Sequence, residues 1–106
     1  MATNPTSTPL DMTIERTPTG TTVHCAGRIT SATTELLKTT VKPLLSQGKM
    51  VDLDLANVSY MDSSGLGTVV GLYTSAKSAS CQLKLVNLNQ RLKELLSITR
   101  LHELMG

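Results

Sequence analysis

A chain of 106 residues has room for one domain, and ten Lys and Arg against eight Asp and Glu leave it a net charge of +2, too small for an electrostatic grip on nucleic acid. With no Phe, no Trp and two Tyr it also lacks the ring platforms on which single-stranded nucleic acids stack, so its core must be built from aliphatic residues, 17 Leu among them. Ser and Thr together number 26, most of which read as surface and capping chemistry.

The first ten residues carry no charged side chain and are mostly Thr, Pro, Ser and Asn. They lack the basic start and apolar run of a signal peptide, so residues 1–9 read as a disordered tail before a single domain over 10–106. No apolar stretch approaches the ~20 residues that span a bilayer. Cys25 and Cys81 are too few for a disulfide framework and have no Cys or His cluster beside them for zinc. Both read as reduced, structural thiols, and the chain as a soluble, cytoplasmic protein with no membrane association.

Residues 11–16 alternate Met12 and Ile14 with Asp11, Thr13 and Glu15, the pattern of a half-buried strand. Thr17-Pro18-Thr19-Gly20 is a short turn, and residues 21–26 return as a second strand, which makes an antiparallel hairpin. Gly27 is expected to break that run. Ser31 is a candidate N-cap for a helix to about Gln47, with Glu35 early in it and Leu37, Val41, Leu44 and Leu45 on one face. Pro43 should kink this helix and Gly48 end it. Residues 50–55 form a strand with Val51, Leu53 and Leu55 on one face and Asp52 and Asp54 on the other.

The next helix opens at Asp62-Ser63-Ser64-Gly65 and runs to about Ser78. Its expected buried stripe is Leu66, Val69, Val70, Tyr73 and Ala76, with Gly67 and Gly71 allowing close approach to the sheet. A strand over 82–87 carries Leu83 and Leu85. Asn89 caps a last helix with Leu92, Leu95 and Leu96 inward, and Ile98, Leu101, Leu104 and Met105 are left for the core. Two strand-helix-strand crossovers after a hairpin predict an α/β fold with a mixed sheet covered by helices.

The chemistry points away from catalysis. Where a hydrolase elbow needs Gly-x-Ser-x-Gly, this chain has Ser63-Ser64-Gly65-Leu66-Gly67, and neither His24 nor His102 offers an acid partner by spacing. Gly65-x-Gly67 lacks the Lys and the third glycine of a phosphate loop. Asp52 and Asp54 read as a solvated polar face, so no metal or cofactor is expected. Tyr60-Met61-Asp62-Ser63-Ser64-Gly65-Leu66-Gly67 is more informative. Asp and Ser are favoured N-caps, so the run suits a helix start, yet glycines in the first turns weaken one by up to ~1 kcal/mol each. No charged side chain occurs from Ser63 to Ala76.

Val51-Asp52-Leu53-Asp54-Leu55 followed by this motif resembles the signature of STAS-domain anti-sigma-factor antagonists. The resemblance extends back to Gly27-Arg28-Ile29-Thr30 and forward through Leu83-Lys84-Leu85-Val86-Asn87 to Ile98-Thr99-Arg100-Leu101. It implies a STAS fold with a four- to five-stranded mixed sheet, an N-terminal antiparallel hairpin followed by parallel βαβαβ. It also implies a non-enzymatic switch in which a serine kinase that doubles as the anti-sigma factor phosphorylates the first serine after the aspartate, here Ser63, and a partner phosphatase resets it. Asp62, Ser63, Ser64, Gly65, Leu66, Gly67 and Thr30 would form the contact surface, within a docking region over 59–72. Thr30 departs from the pattern, since several phosphorylatable members carry an acid there. The expected protein is a monomer or weak dimer that binds no nucleic acid directly. The alternatives are an unphosphorylated STAS scaffold or accessory subunit of a transporter or signalling complex, and a weak nucleotide-binding module at the 62–67 turn.

Overall fold

The computed structural model describes residues 10–46 and 50–97. In chain order they form β1 (Leu10–Thr17), β2 (Gly20–Ile29), α1 (Thr34–Leu45), β3 (Met50–Met61), α2 (Ser63–Ser78), β4 (Leu83–Val86) and α3 (Gln90–Ser97). The hairpin closes because Pro18 presets the turn and the Gly20 N–H donates to Thr17 Oγ1 at 3.1 Å. β1 then pairs antiparallel with β2, from Thr17 opposite Gly20 to Leu10 opposite Gly27. β3 lies parallel to β2 and β4 parallel to β3, giving one mixed sheet of order β1-β2-β3-β4, as the strand and helix pattern predicts.

Strand alternation sorts the two faces of this sheet. Val23 and Cys25, Val51, Leu53 and Leu55, and Leu83 and Leu85 point to one side and are buried. Leu37, Val41, Leu44 and Leu45 of α1 pack there, as their spacing predicts, with Val69, Leu72 and Ala76 of α2 and Leu92 and Leu96 of α3. Each large side chain so buried stabilises the fold by about 1.5–3 kcal/mol. The other side carries Thr22, His24, Asp52, Asp54 and Lys84, all half-buried.

Several boundaries differ from expectation for local physical reasons. Gly27 does not end β2; it sits inside the strand at φ 124°, a conformation glycine adopts without strain. The register of β2 on β3 slips on either side of it, between His24 and Ala26 and between Gly27 and Arg28. These bulges let β3 carry extra residues and run past Leu55 to Met61, and they break the two-residue alternation that marks a strand in sequence. α1 starts at Thr34 and not at Ser31, because the N–H groups of Thr33 and Thr34 both bond the Thr30 carbonyl and close a separate turn. It continues past Pro43 to Leu45, while Gln47 and Gly48 lie outside the described residues. Ile14 is 44% exposed on β1, the edge strand of the sheet.

The buried stripe of α2 keeps Val69 and Ala76 as expected but takes Gly65 and Leu72 in place of their neighbours Leu66 and Tyr73. Gly65, Val69, Leu72 and Ala76 face the core, while Leu66, Val70 and Tyr73 are half-buried. Of the three glycines in α2, Gly65 is the one pressed against the sheet; among the described residues nothing lies within 4 Å of where a Cβ at Gly67 or Gly71 would project. The Asn89 cap forms as expected, with Leu92 N–H donating to its Oδ1 at 2.8 Å, and Asn89 Nδ2 donates to the Val58 carbonyl at 3.2 Å. This ties α3 to β3. Leu95 is only half-buried, and residues 1–9, Ile98, Leu101, His102, Leu104 and Met105 lie outside the described residues.

Candidate functional site

Parallel pairing brings the carboxyl ends of β2 and β3 level, with Ile29 opposite Met61, so the segments that leave them emerge side by side. Asp62 follows β3 in extended conformation (φ −99°, ψ −175°) and caps α2, its Oδ1 accepting from the Gly65 N–H at 2.8 Å. Its own N–H donates to the Ile29 carbonyl at 3.2 Å, and its carbonyl accepts from Leu66 N–H at 2.9 Å. Of the Asp and Ser residues in the run, Asp62 is the one that caps, and it fixes where the helix begins.

Gly65 holds the helix start down on β2. A Cβ at this position would lie 2.2 Å from the Ile29 carbonyl oxygen, so no larger residue fits without movement. Ser63 and Ser64, the first two residues of α2, face outward and are exposed. Among the described residues no hydrogen bond engages the Ser63 hydroxyl. Across from them Thr30 shapes its own turn: its N–H donates to Thr33 Oγ1 at 2.9 Å and its Oγ1 accepts from Ala32 N–H at 3.2 Å. Thr33 Oγ1 in turn donates to the Arg28 carbonyl at 2.9 Å. Thr30 and residues 62–67 thus converge at one end of the sheet. Within this group Gly65 has a packing role, Leu66 lies against the core and Gly67 is exposed.

The N-terminus of a 16-residue helix presents unpaired N–H groups and a partial positive charge, which the Asp62 cap offsets only in part, and the first turn of α2 itself holds no acidic residue. An anionic group on Ser63 would sit favourably there. Among the described residues nothing at this end resembles a hydrolytic centre. His24 lies on the opposite face of the sheet from α2, and no group of three metal-ligating side chains occurs among the described residues. Cys25 is equally remote from chemistry, since burial pushes its thiol up to about 12; burial also raises Cys81.

Three features escape a reading of the sequence. The polar face is not simply solvated: His24 bridges two strands, with Nε2 2.7 Å from Glu15 Oε1 and Nδ1 2.9 Å from Asp54 Oδ2. The hairpin register was a usable signal, because a turn at 18–19 sets Glu15 opposite Thr22 and diagonal to His24. Asp52 Oδ1 is buried without a hydrogen-bond partner. Exposed Arg28 and Tyr60, paired across β2 and β3, flank the site, but only the bulged register aligns them.

A profile described as "Mlab, STAS domain" matches residues 12–106. The chain belongs to the STAS domain family. It is 40% identical over 82 residues to the anti-sigma-B factor antagonist of Bacillus subtilis (strain 168), a match spanning 77% of this chain and 75% of that protein. To the anti-sigma-B factor antagonist of Listeria monocytogenes it is 35% identical over 83 residues, 77% of this chain and 73% of the other. Among solved structures, an anti-sigma factor antagonist from Mycobacterium paratuberculosis superposes with a TM-score of 0.79, covering 92% of this chain and 83% of that one at 16% identity. The Bacillus cell fate determinant SpoIIAA in its phosphorylated form gives 0.72 over 91% and 89% at 19% identity. These two structural likenesses establish the STAS fold. In this STAS domain no helix among the described residues is long and apolar enough to cross a membrane.

Proposed function

We propose that this protein is an anti-sigma-factor antagonist switched by phosphorylation of Ser63. The observation that carries this reading is the exposed Ser63 hydroxyl at the first position of α2, in a chain 40% identical to an anti-sigma-B factor antagonist. Unphosphorylated, the protein binds a serine kinase that is also the anti-sigma factor and so frees the sigma factor. The contact surface is Thr30 with Asp62, Ser63, Ser64, Gly65, Leu66 and Gly67. The kinase supplies ATP and metal, which fits a chain without the residues that position them, and a partner phosphatase resets the switch in the cytoplasm. The protein itself is not an enzyme.

The phosphate adds about −1.5 to −2 charges to a surface that is otherwise neutral from Ser63 to Ala76. That charge is compatible with the helix terminus and costly in an interface, so modification breaks binding and leaves the fold intact. The test is incubation with the anti-sigma-factor kinase of the same organism and ATP, followed by mass spectrometry. The wild type should gain one phosphate and Ser63→Ala none. Stoichiometric phosphorylation of Ser63→Ala would assign the wrong residue, and an unmodified wild type would make the protein a constitutive scaffold.

A further inference from the structure

We propose that the groove between α1 and α2 receives an acidic segment of the anti-sigma-factor partner, with Lys38 and Lys42 as the groups that read it. This rests on the antagonist function proposed above and names the chemistry of the partner surface. The groove has a volume of about 510 Å³ and is walled by Lys38 and Lys42 on α1 and by Ser64, Gly67, Gly71 and Ser75 on α2.

Charge gives the first argument. Among the described residues no carboxylate lines the groove, and the α2 wall carries no charge from Ser63 to Ala76, so the charges on its walls are those of the two lysines. Lys38 meets Glu35 only at 4.0 Å, through a carboxylate that is 82% exposed, and such a surface pair contributes little. Lys42 is exposed and has no ion pair among the described residues. A groove of one sign attracts a partner of the other and accelerates its docking.

The second argument is steric. Among the described residues nothing lies within 4 Å of where a Cβ at Gly67 or Gly71 would project, so neither glycine is needed for packing against them. The space they leave open admits a polypeptide backbone close to α2. A nucleotide fits less well, because no aromatic ring lines the groove to stack a base. Ser64 belongs to both the groove wall and the candidate site, so one partner engages the two surfaces together. A phosphate on Ser63, one residue from that wall, repels the same acidic segment that the lysines attract.

The test uses the purified full-length anti-sigma-factor kinase of the same organism, with binding followed by surface plasmon resonance at low and high salt. Lys42→Glu should slow association about tenfold at low salt, with the gap closing at high salt. Lys93→Glu, an equal charge change on exposed α3, should associate like the wild type. Gly71→Leu, whose Cβ meets no other atom within 4 Å among the described residues, should fill the groove and weaken binding at every salt concentration, while its melting curve shows it folded. If the wild type binds and both Lys42→Glu and Gly71→Leu bind equally well, the groove is not the docking surface and the Ser63 switch stands. If the wild type binds no kinase, the antagonist reading itself fails and the groove proposal falls with it. Saturable ATP binding that shifts the amide signals of Gly67 and Gly71 would make the groove a nucleotide site and overturn the proposal.

Discussion

The Ile29 carbonyl occupies the place where a side chain at Gly65 would begin, with 2.2 Å between that oxygen and the position of a Cβ. The same carbonyl accepts the Asp62 N–H, so the end of β2 sets both the cap of α2 and how closely the helix sits. Gly65→Ala therefore cannot be absorbed by a flexible neighbour, because the obstacle is backbone. It should destabilise the fold by about 1–3 kcal/mol, read as a lower urea midpoint. Gly71→Ala, which meets open space, should raise stability by about 0.5–1 kcal/mol. Equal midpoints for the two variants would contradict the close approach at Ile29.

Asp62 is a cap by geometry, since its Oδ1 holds the Gly65 N–H at 2.8 Å. Asp62→Ala should cost about 0.5–2 kcal/mol in thermal or urea unfolding, and Asp62→Asn much less, because an amide oxygen caps nearly as well as a carboxylate. Comparing the kinase affinity of Asp62→Asn with its stability separates the two roles given to this residue. Lost binding at unchanged stability would place its charge in the interface.

Much of this site was legible because local rules and tertiary packing agree there. The Asp-Ser-Ser-Gly run names the cap, and the β-strand before it fixes which end of the sheet the helix starts from. The close approach expected of Gly67 and Gly71 falls to Gly65, because sequence shows that a position lacks a side chain, not which backbone it approaches. Only the slipped β2–β3 register places the Ile29 carbonyl beside Gly65, leaving Gly67 and Gly71 in the open. The same bulges hid the length of β3, whose exposed Ala56, Asn57, Ser59 and Tyr60 do not alternate. Thr33, which carries no periodic signal, sets the start of α1 through its bonds to Thr30 and Arg28.

The bridge from Glu15 through His24 to Asp54 predicts a pH dependence. His24 is raised above its ordinary 6.5, first by the hydrogen bond with Glu15 and then by that with Asp54. Burial alone would raise Asp54, but hydrogen bonds from the Ala56 N–H, Asn87 and His24 outweigh it and hold the carboxyl below its ordinary 3.8. The histidine contribution is complete below 6.5 and disappears as pH rises through the higher folded value. That of Asp54 is complete above 3.8 and is lost as pH falls through the lower folded value. The difference in melting temperature between wild type and His24→Gln should thus be widest between 3.8 and 6.5, narrow at alkaline pH, and shrink with added salt. An NMR titration midpoint for His24 at or below 6.5 would show that the bridge does not form in solution.

Ser63→Glu separates a switch that acts on binding from one that acts on folding. The variant puts a negative charge at the first position of α2, where the helix dipole favours one by about 0.3–1 kcal/mol and the adjacent Asp62 carboxylate offsets part of that gain. Its melting temperature should equal or slightly exceed that of the wild type. The same charge enters a face that is neutral from Ser63 to Ala76, so kinase affinity should fall by at least about tenfold. Ser63→Gln, similar in size and uncharged, should keep most of the affinity, which assigns the loss to charge and not to bulk. Circular dichroism melts and titration calorimetry on the three proteins decide the matter. A fall of several degrees in the melting temperature of Ser63→Glu would mean that the negative charge strains the helix start, and that phosphorylation works by loosening the fold.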